Sequence, residues 1–164
     1  MRKLRPPPLT LLDKYRGPDF LPLYTTSVTV RGGEAAHGRA SGIAISDDGE
    51  LLVELRLPVE LGGPGGGTNP EQLFAAGYAA CFHGALSMLA ARAGLSIPDA
   101  SVTATVSFGR DPIDGLFTVT ADINIHLPGV IKAMAEELVR NTERLCPYSK
   151  MAQNGIESVV VLTQ

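Results

Sequence analysis

The sequence predicts an α+β fold in which antiparallel sheets pack on a long buried central helix, and three observations carry that prediction. Alternating, β-branched runs come in pairs joined by turn signals, as hairpins require. No βαβ crossover spacing separates them, which argues against a parallel sheet. One helix, from Thr68 to Gly94, has almost no polar face, and a second, amphipathic helix follows near the C-terminus. The expected element order is β-β-β-α-β-β-α-β.

Residues 1–20 are basic and proline-rich, with a short helical turn expected at Leu9–Tyr15. They read as an N-terminal arm, either clasping the protein or disordered. Residues 21–164 are expected to form a single domain, since 164 residues suffice for one core and are too few for two comfortable ones. Leu23–Val30 alternates and predicts a first strand, followed by the loop RGGEAAHG. Arg39–Ser46 and Glu50–Leu57 flank Asp47-Asp48-Gly49 and predict a hairpin, with Val53, Leu55 and Leu57 facing the core and Glu54 and Arg56 facing water. The run LGGPGGGTNP then places five glycines around Pro64. It lacks the Lys-Ser/Thr of a phosphate-binding loop, so it is expected to redirect the chain and no more.

Asn69 is the expected N-cap of the central helix, Pro70 falls where a missing N–H costs nothing, and Gln72 lies three residues after the cap as in a capping box. Between Leu73 and Ala91 only His83 and Ser87 are strongly polar, which predicts burial on most sides. Leu73, Gly77, Cys81, Ala85 and Leu89 share one row, whose small residues let another backbone or a long side chain approach the sulfur. Cys81 is therefore expected inside, with room around it. A helix apolar all round is more than a monomer of this size covers easily, and a homodimer is the expected solution.

Ala100–Gly109 and Leu116–Leu127 predict a second hairpin around Asp111–Gly115. Ile131, Met134, Ala135, Leu138, Val139, Thr142 and Leu145 keep helical spacing, with Lys132, Glu136, Glu137, Arg140 and Glu143 opposite them. That helix is expected to end at Cys146-Pro147, because proline cannot continue the ladder. A final strand is expected at Ile156–Leu162.

The net charge of −3 and pI of about 5.6 argue against a nucleic-acid partner. The central helix, interrupted by small residues, glycines and His83, is a poor bilayer span, and the N-terminus lacks the apolar block of a secretory signal. Neither a membrane partner nor export is expected, and a cytoplasmic location follows by default. Two cysteines are too few for a structural framework or a zinc site, which leaves inert packing or redox chemistry. His37 and His126 have no third partner at metal spacing.

Cys81 lies twelve positions from the N-cap, too far for the helix dipole to hold it as a thiolate, and burial alone would raise its pKa. His83, two residues on, is turned about 200° around the helix. If Cys81 reacts, a remote Arg or Lys must stand against it, and arginine keeps its charge better when desolvated.

The run LGGPGGGTNPEQLFAAGYAACF, with CPYS downstream, closely resembles the organic hydroperoxide resistance proteins of the Ohr/OsmC family, from about Leu23 to the C-terminus. The resemblance implies an intertwined α+β homodimer with active sites at the subunit interface. It implies a thiol peroxidase that needs no cofactor, reduces organic hydroperoxides to alcohols, and is restored by an external dithiol, a dihydrolipoyl group on a lipoylated protein. Carried over by motif, Cys81 is the peroxidatic nucleophile, Cys146 the resolving thiol and Glu71 the residue that orients an arginine. The family's arginine falls nearest to Arg39, although Ala40, Ser41 and Gly42 follow it in place of the family's GGR-x-G. Phe74, Tyr78 and Phe82 are candidates for an apolar substrate lining. Other readings are the OsmC branch with a different substrate preference, and a redox sensor or hydrophobic-ligand binder without turnover.

On one straight helix Glu71 and Cys81 would lie about 15 Å apart and about 80° around the axis from each other. Either Glu71 serves the Cys81 of the other subunit, or the helix is broken between them.

Overall fold

The computed structural model describes residues 12–34 and 40–164 of the chain. It divides into two compact units, Pro8–Phe74 and a second that holds Ala75–Gln164. The class is α+β with antiparallel sheets, as expected. The helical turn expected at Leu9–Tyr15 lies mostly outside the described residues.

The first unit carries a three-stranded sheet of β1 (Val28–Arg31), β2 (Ser41–Ser46) and β3 (Leu52–Arg56), in that order and antiparallel throughout. The expected hairpin is β2–β3. Its register puts Ala44 opposite Val53 and Gly42 opposite Leu55, so these residues share a face with Val28 and Val30. Ala44 and Leu55 are buried, while Ile43 and Ile45 point the other way and are exposed. Leu57, expected on the core face, lies one residue beyond β3 and is half-buried. β1 is shorter than the predicted Leu23–Val30. It starts at Val28 because its partner β2 ends at Ser46, directly opposite, and the chain then turns away through Asp47–Gly49.

The glycine-rich run is a chain reversal. Gly62, Gly65 and Gly66 have positive φ, and the returning strand of chain pairs with β3 through Thr68 N–H to Glu54 O and Arg56 N–H to Thr68 O. This delivers Asn69 to the start of α1 (Pro70–Arg92), where its Oδ1 accepts the Gln72 N–H at 2.9 Å. Gln72 does not close a capping box; its Oε1 accepts from Thr68 Oγ1 instead.

In the second unit α1 ends in a Schellman turn, with Leu95 N–H on Ala90 O, Gly94 N–H on Ala91 O and Gly94 at φ +69. Then come the hairpin β4 (Ser101–Arg110) and β5 (Phe117–His126), helix α2 (Lys132–Leu145) and helix α3 (Pro147–Asn154). The β4–β5 register places Val102, Ala104, Val106 and Phe108 opposite Ile125, Ile123, Ala121 and Val119 on one face, half-buried except at Val119, which is exposed. Their alternates are mostly Ser, Thr, Asn and Asp, as a solvated sheet face requires. The core is Leu86 and Ala90 of α1 with Leu138 of α2, flanked by Leu89, Leu95, Ile97, Val102 and Ile125.

Two expectations are corrected, and one element is additional to those expected. Burial of α1 on most sides is not seen: Tyr78, Phe82, Ala85, Leu86 and Ala90 are buried, while Ala76, Ala80, His83 and Gly84 are exposed. By length and composition α1 could cross a membrane, but its packing on α2 and the sheet makes it a core helix. Ile156–Leu162 is not a strand. Residues 155–164 are irregular and exposed, and a strand's N–H and C=O groups need a neighbouring strand, which no described strand provides. Lastly, the proline after Cys146 ends one helix and starts another, because Pro at the first position of a helix is favourable.

Candidate active site

Both cysteines belong to the second unit and are free thiols. Cys81 lies near the middle of α1 and is half-buried; Cys146 has no exposed surface. The expectation that Cys81 is the inner sulfur is thus only partly met, since the fully enclosed one is Cys146. Their sulfurs are 3.6 Å apart, the Cys146 thiol donating to Cys81, although 65 positions separate them in sequence. A disulfide needs a sulfur separation of about 2.0 Å, so closure requires a movement of about 1.5 Å.

Cys146 is held by serving two helices at once. Its N–H bonds Thr142 O at 2.8 Å and closes α2, while its C=O accepts the Lys150 N–H at 3.1 Å and opens α3. Beneath it Thr142 is fully buried, its hydroxyl donating to Leu138 O at 2.7 Å. α3 in turn rests on α1. Tyr78 Oη and Ser149 Oγ are hydrogen-bonded at 3.1 Å, both residues being buried. The Tyr78 and Tyr148 rings lie 5.8 Å apart, and a Cβ on Gly77 would come within 2.9 Å of Tyr148 Oη. The small-residue row of α1 therefore does admit a long side chain beside the sulfur, and that side chain is Tyr148.

The surroundings of Cys81 push its pKa above the ordinary thiol value. Burial is the main cause; the Tyr148 backbone N–H acts in the opposite sense, and the Cys146 thiol adds to the rise. These groups do not by themselves hold a thiolate, so a cation is still required. His83 is exposed, and Arg39, like His37, lies outside the described residues. Glu71 stands in the first turn of α1 and is half-buried, as is Phe74. α1 runs unbroken from Pro70 to Arg92, which removes the broken-helix alternative for Glu71.

Tyr78 and Phe82, one turn apart, border a cavity of about 290 Å³ with Ala121, Ile123, Ile125 and Val139, and Cys81 does not line it. Among the described residues no cluster of His, Cys, Asp and Glu could hold a metal ion. Sequence reasoning missed Ser149 and the Tyr148 N–H. The available signal was Pro147, whose place directly after Cys146 marks a helix start as well as a stop.

A paired-thiol site on this α+β scaffold meets a matching family. The OsmC-like protein family matches residues 63–160, and the chain belongs to it. The organic hydroperoxide resistance protein of Xanthomonas axonopodis pv. citri is 42% identical over 142 residues, covering 85% of this chain and 94% of that one. The organic hydroperoxide resistance protein OhrB of Bacillus subtilis is 38% identical over 135 residues, covering 82% and 94%. The crystal structure of an organic hydroperoxide resistance protein OsmC from Legionella pneumophila is similar with a TM-score of 0.72 at 41% identity, over 82% of this chain and 93% of that one.

The difference in burial predicts the order of modification. Brief iodoacetamide treatment of the reduced native protein is expected to label Cys81 before Cys146, read by peptide mass; equal labelling would show that Cys146 is not held inside.

Proposed function

We propose that the protein is a cysteine-based peroxidase that reduces organic hydroperoxides to alcohols. The single observation that carries this reading is the pair of free sulfurs 3.6 Å apart in a chain of this family. Cys81 thiolate attacks the distal peroxide oxygen; the O–O bond breaks, the alkoxide takes a proton and leaves as alcohol, and the sulfur becomes a sulfenic acid. The Cys146 sulfur then attacks that sulfur, the S–S bond forms, and the hydroxyl leaves as water with the Cys146 proton. An external dithiol, of the dihydrolipoyl kind on a lipoylated protein, returns both thiols. Such a cycle suits the reducing cytoplasm.

Arg39 supplies the cation that Cys81 needs, and Glu71 orients it. Because α1 is continuous, Glu71 serves the Cys81 of a second copy, and the working unit is a homodimer. The open flank of α1 and the exposed Val159, Val160, Val161 and Leu162 supply apolar surface for that assembly. Phe74, Tyr78 and Phe82 provide apolar surface for the organic part of the substrate.

Stopped-flow oxidation with cumene hydroperoxide tests the reading. Cys81→Ser is expected to abolish peroxide consumption, and Cys146→Ser to permit one oxidation without recycling by dihydrolipoamide; full turnover by Cys81→Ser would overturn it. Arg39→Ala should move the midpoint of the pH–rate profile upward, beyond the ordinary thiol range of about 8.5, because burial then outweighs the remaining donor, the Tyr148 N–H. An unmoved midpoint removes Arg39 from the mechanism. Two inactive variants, Cys81→Ser and Glu71→Gln, are expected to regain activity when their subunits are exchanged by mixing; no recovery would show that Glu71 acts within its own chain.

A further inference from the structure

Three contacts tie α3 to α1, and they follow one flank of that helix. Tyr148 packs at Gly77, Ser149 bonds Tyr78 at 3.1 Å, and Cys146 reaches Cys81 at 3.6 Å. Gly77 and Cys81 are one turn apart, and Tyr78 stands between them on the same flank. Cys146 itself belongs to no helix interior: with φ −67 and ψ 116 it is an extended joint between α2 and α3. A joint of this kind leaves two torsions able to swing the thiol away from its target. What opposes the swing is the docking of α3.

We infer that Ser149 is a positioning residue for the second chemical step, its hydroxyl hydrogen bond to Tyr78 holding the Cys146 sulfur against Cys81 while the sulfenic acid waits. This rests on the peroxidase reading above and deepens it. The bond is suited to the task. It is a buried side-chain link between α3 and α1, it lies one turn of α1 from the sulfur, and both its hydroxyls are withdrawn from water, which would otherwise compete for them.

The step it governs has a competitor. A sulfenic acid that meets more peroxide before it meets a thiol becomes a sulfinic acid, which neither Cys146 nor a dithiol reduces. Holding the thiol in place favours the disulfide, because it turns the encounter into a reaction of preset geometry.

The experiment uses the full-length reduced protein, quenched at intervals after mixing with cumene hydroperoxide and read by intact mass. Ser149→Ala is expected to form sulfenic acid at the wild-type rate, to form the disulfide about fivefold more slowly, and to accumulate sulfinic acid at lower peroxide concentrations. Tyr78→Phe should slow disulfide formation to a similar extent. The double variant should be no slower than either single one, because one bond is lost in all three. Additive slowing, or unchanged disulfide formation in Ser149→Ala, would overturn the positioning role. Failure of wild-type Cys81 to form any sulfenic acid would instead overturn the peroxidase reading.

Discussion

The proposed chemistry needs a sulfur to carry charge at a place from which water has been partly removed, and that conflict is the constraint on the rest of the site. Burial disfavours the thiolate of Cys81 and prevails over the one backbone donor given to it, the Tyr148 N–H. A hydrogen bond to a charged group contributes about 1.5–3 kcal/mol, which here reduces the cost of burial without cancelling it. The neighbouring Cys146 thiol raises the pKa further, so the feature that makes the second step easy makes the first one harder. A guanidinium resolves this economically, since it keeps its charge in a desolvated site and can hold a carboxylate and a sulfur together.

The depth of the two sulfurs divides the labour between them. Cys81, half-buried, is open to a peroxide, whereas Cys146, with no exposed surface, meets little besides its partner sulfur. In the proposed cycle, keeping the second thiol inside would protect it from oxidation by the substrate itself. It also removes any need for a large rearrangement between the steps, because the 3.6 Å gap already lies close to bonding range.

The parts of this structure legible in the sequence are those set by neighbours in the chain. Asn69 as cap, Asp47–Gly49 and Asp111–Gly115 as turns, and the end of α2 at Cys146 each depend on a few consecutive residues. What was illegible depends on partners far away. β1 is short because β2 ends at Ser46, and Ile156–Leu162 has strand composition but no strand beside it. α3 is hidden by a competing rule: Pro147 reads as a breaker, although the same ring starts a helix when it follows the cap. The two cysteines could be named from their motifs, but their 3.6 Å approach is a tertiary fact. Ser149 was illegible for the same reason, as nothing local distinguishes it from any serine on a short helix.

The unbroken α1 links chemistry to assembly. One continuous helix does not easily turn Glu71 and Cys81 toward one guanidinium when ten residues separate them, because its rise and rotation are fixed. Were the cation supplied across an interface, as proposed above, a lone chain would keep both thiols but leave Cys81 in surroundings that favour the neutral form. The apolar flank of α1 and the exposed Val159–Leu162 segment then serve reactivity as well as stability. In the homodimer proposed above, covering them would bring the charge of the second copy to Cys81, and the sulfur would be reactive in the pair and quiet in the separated chain.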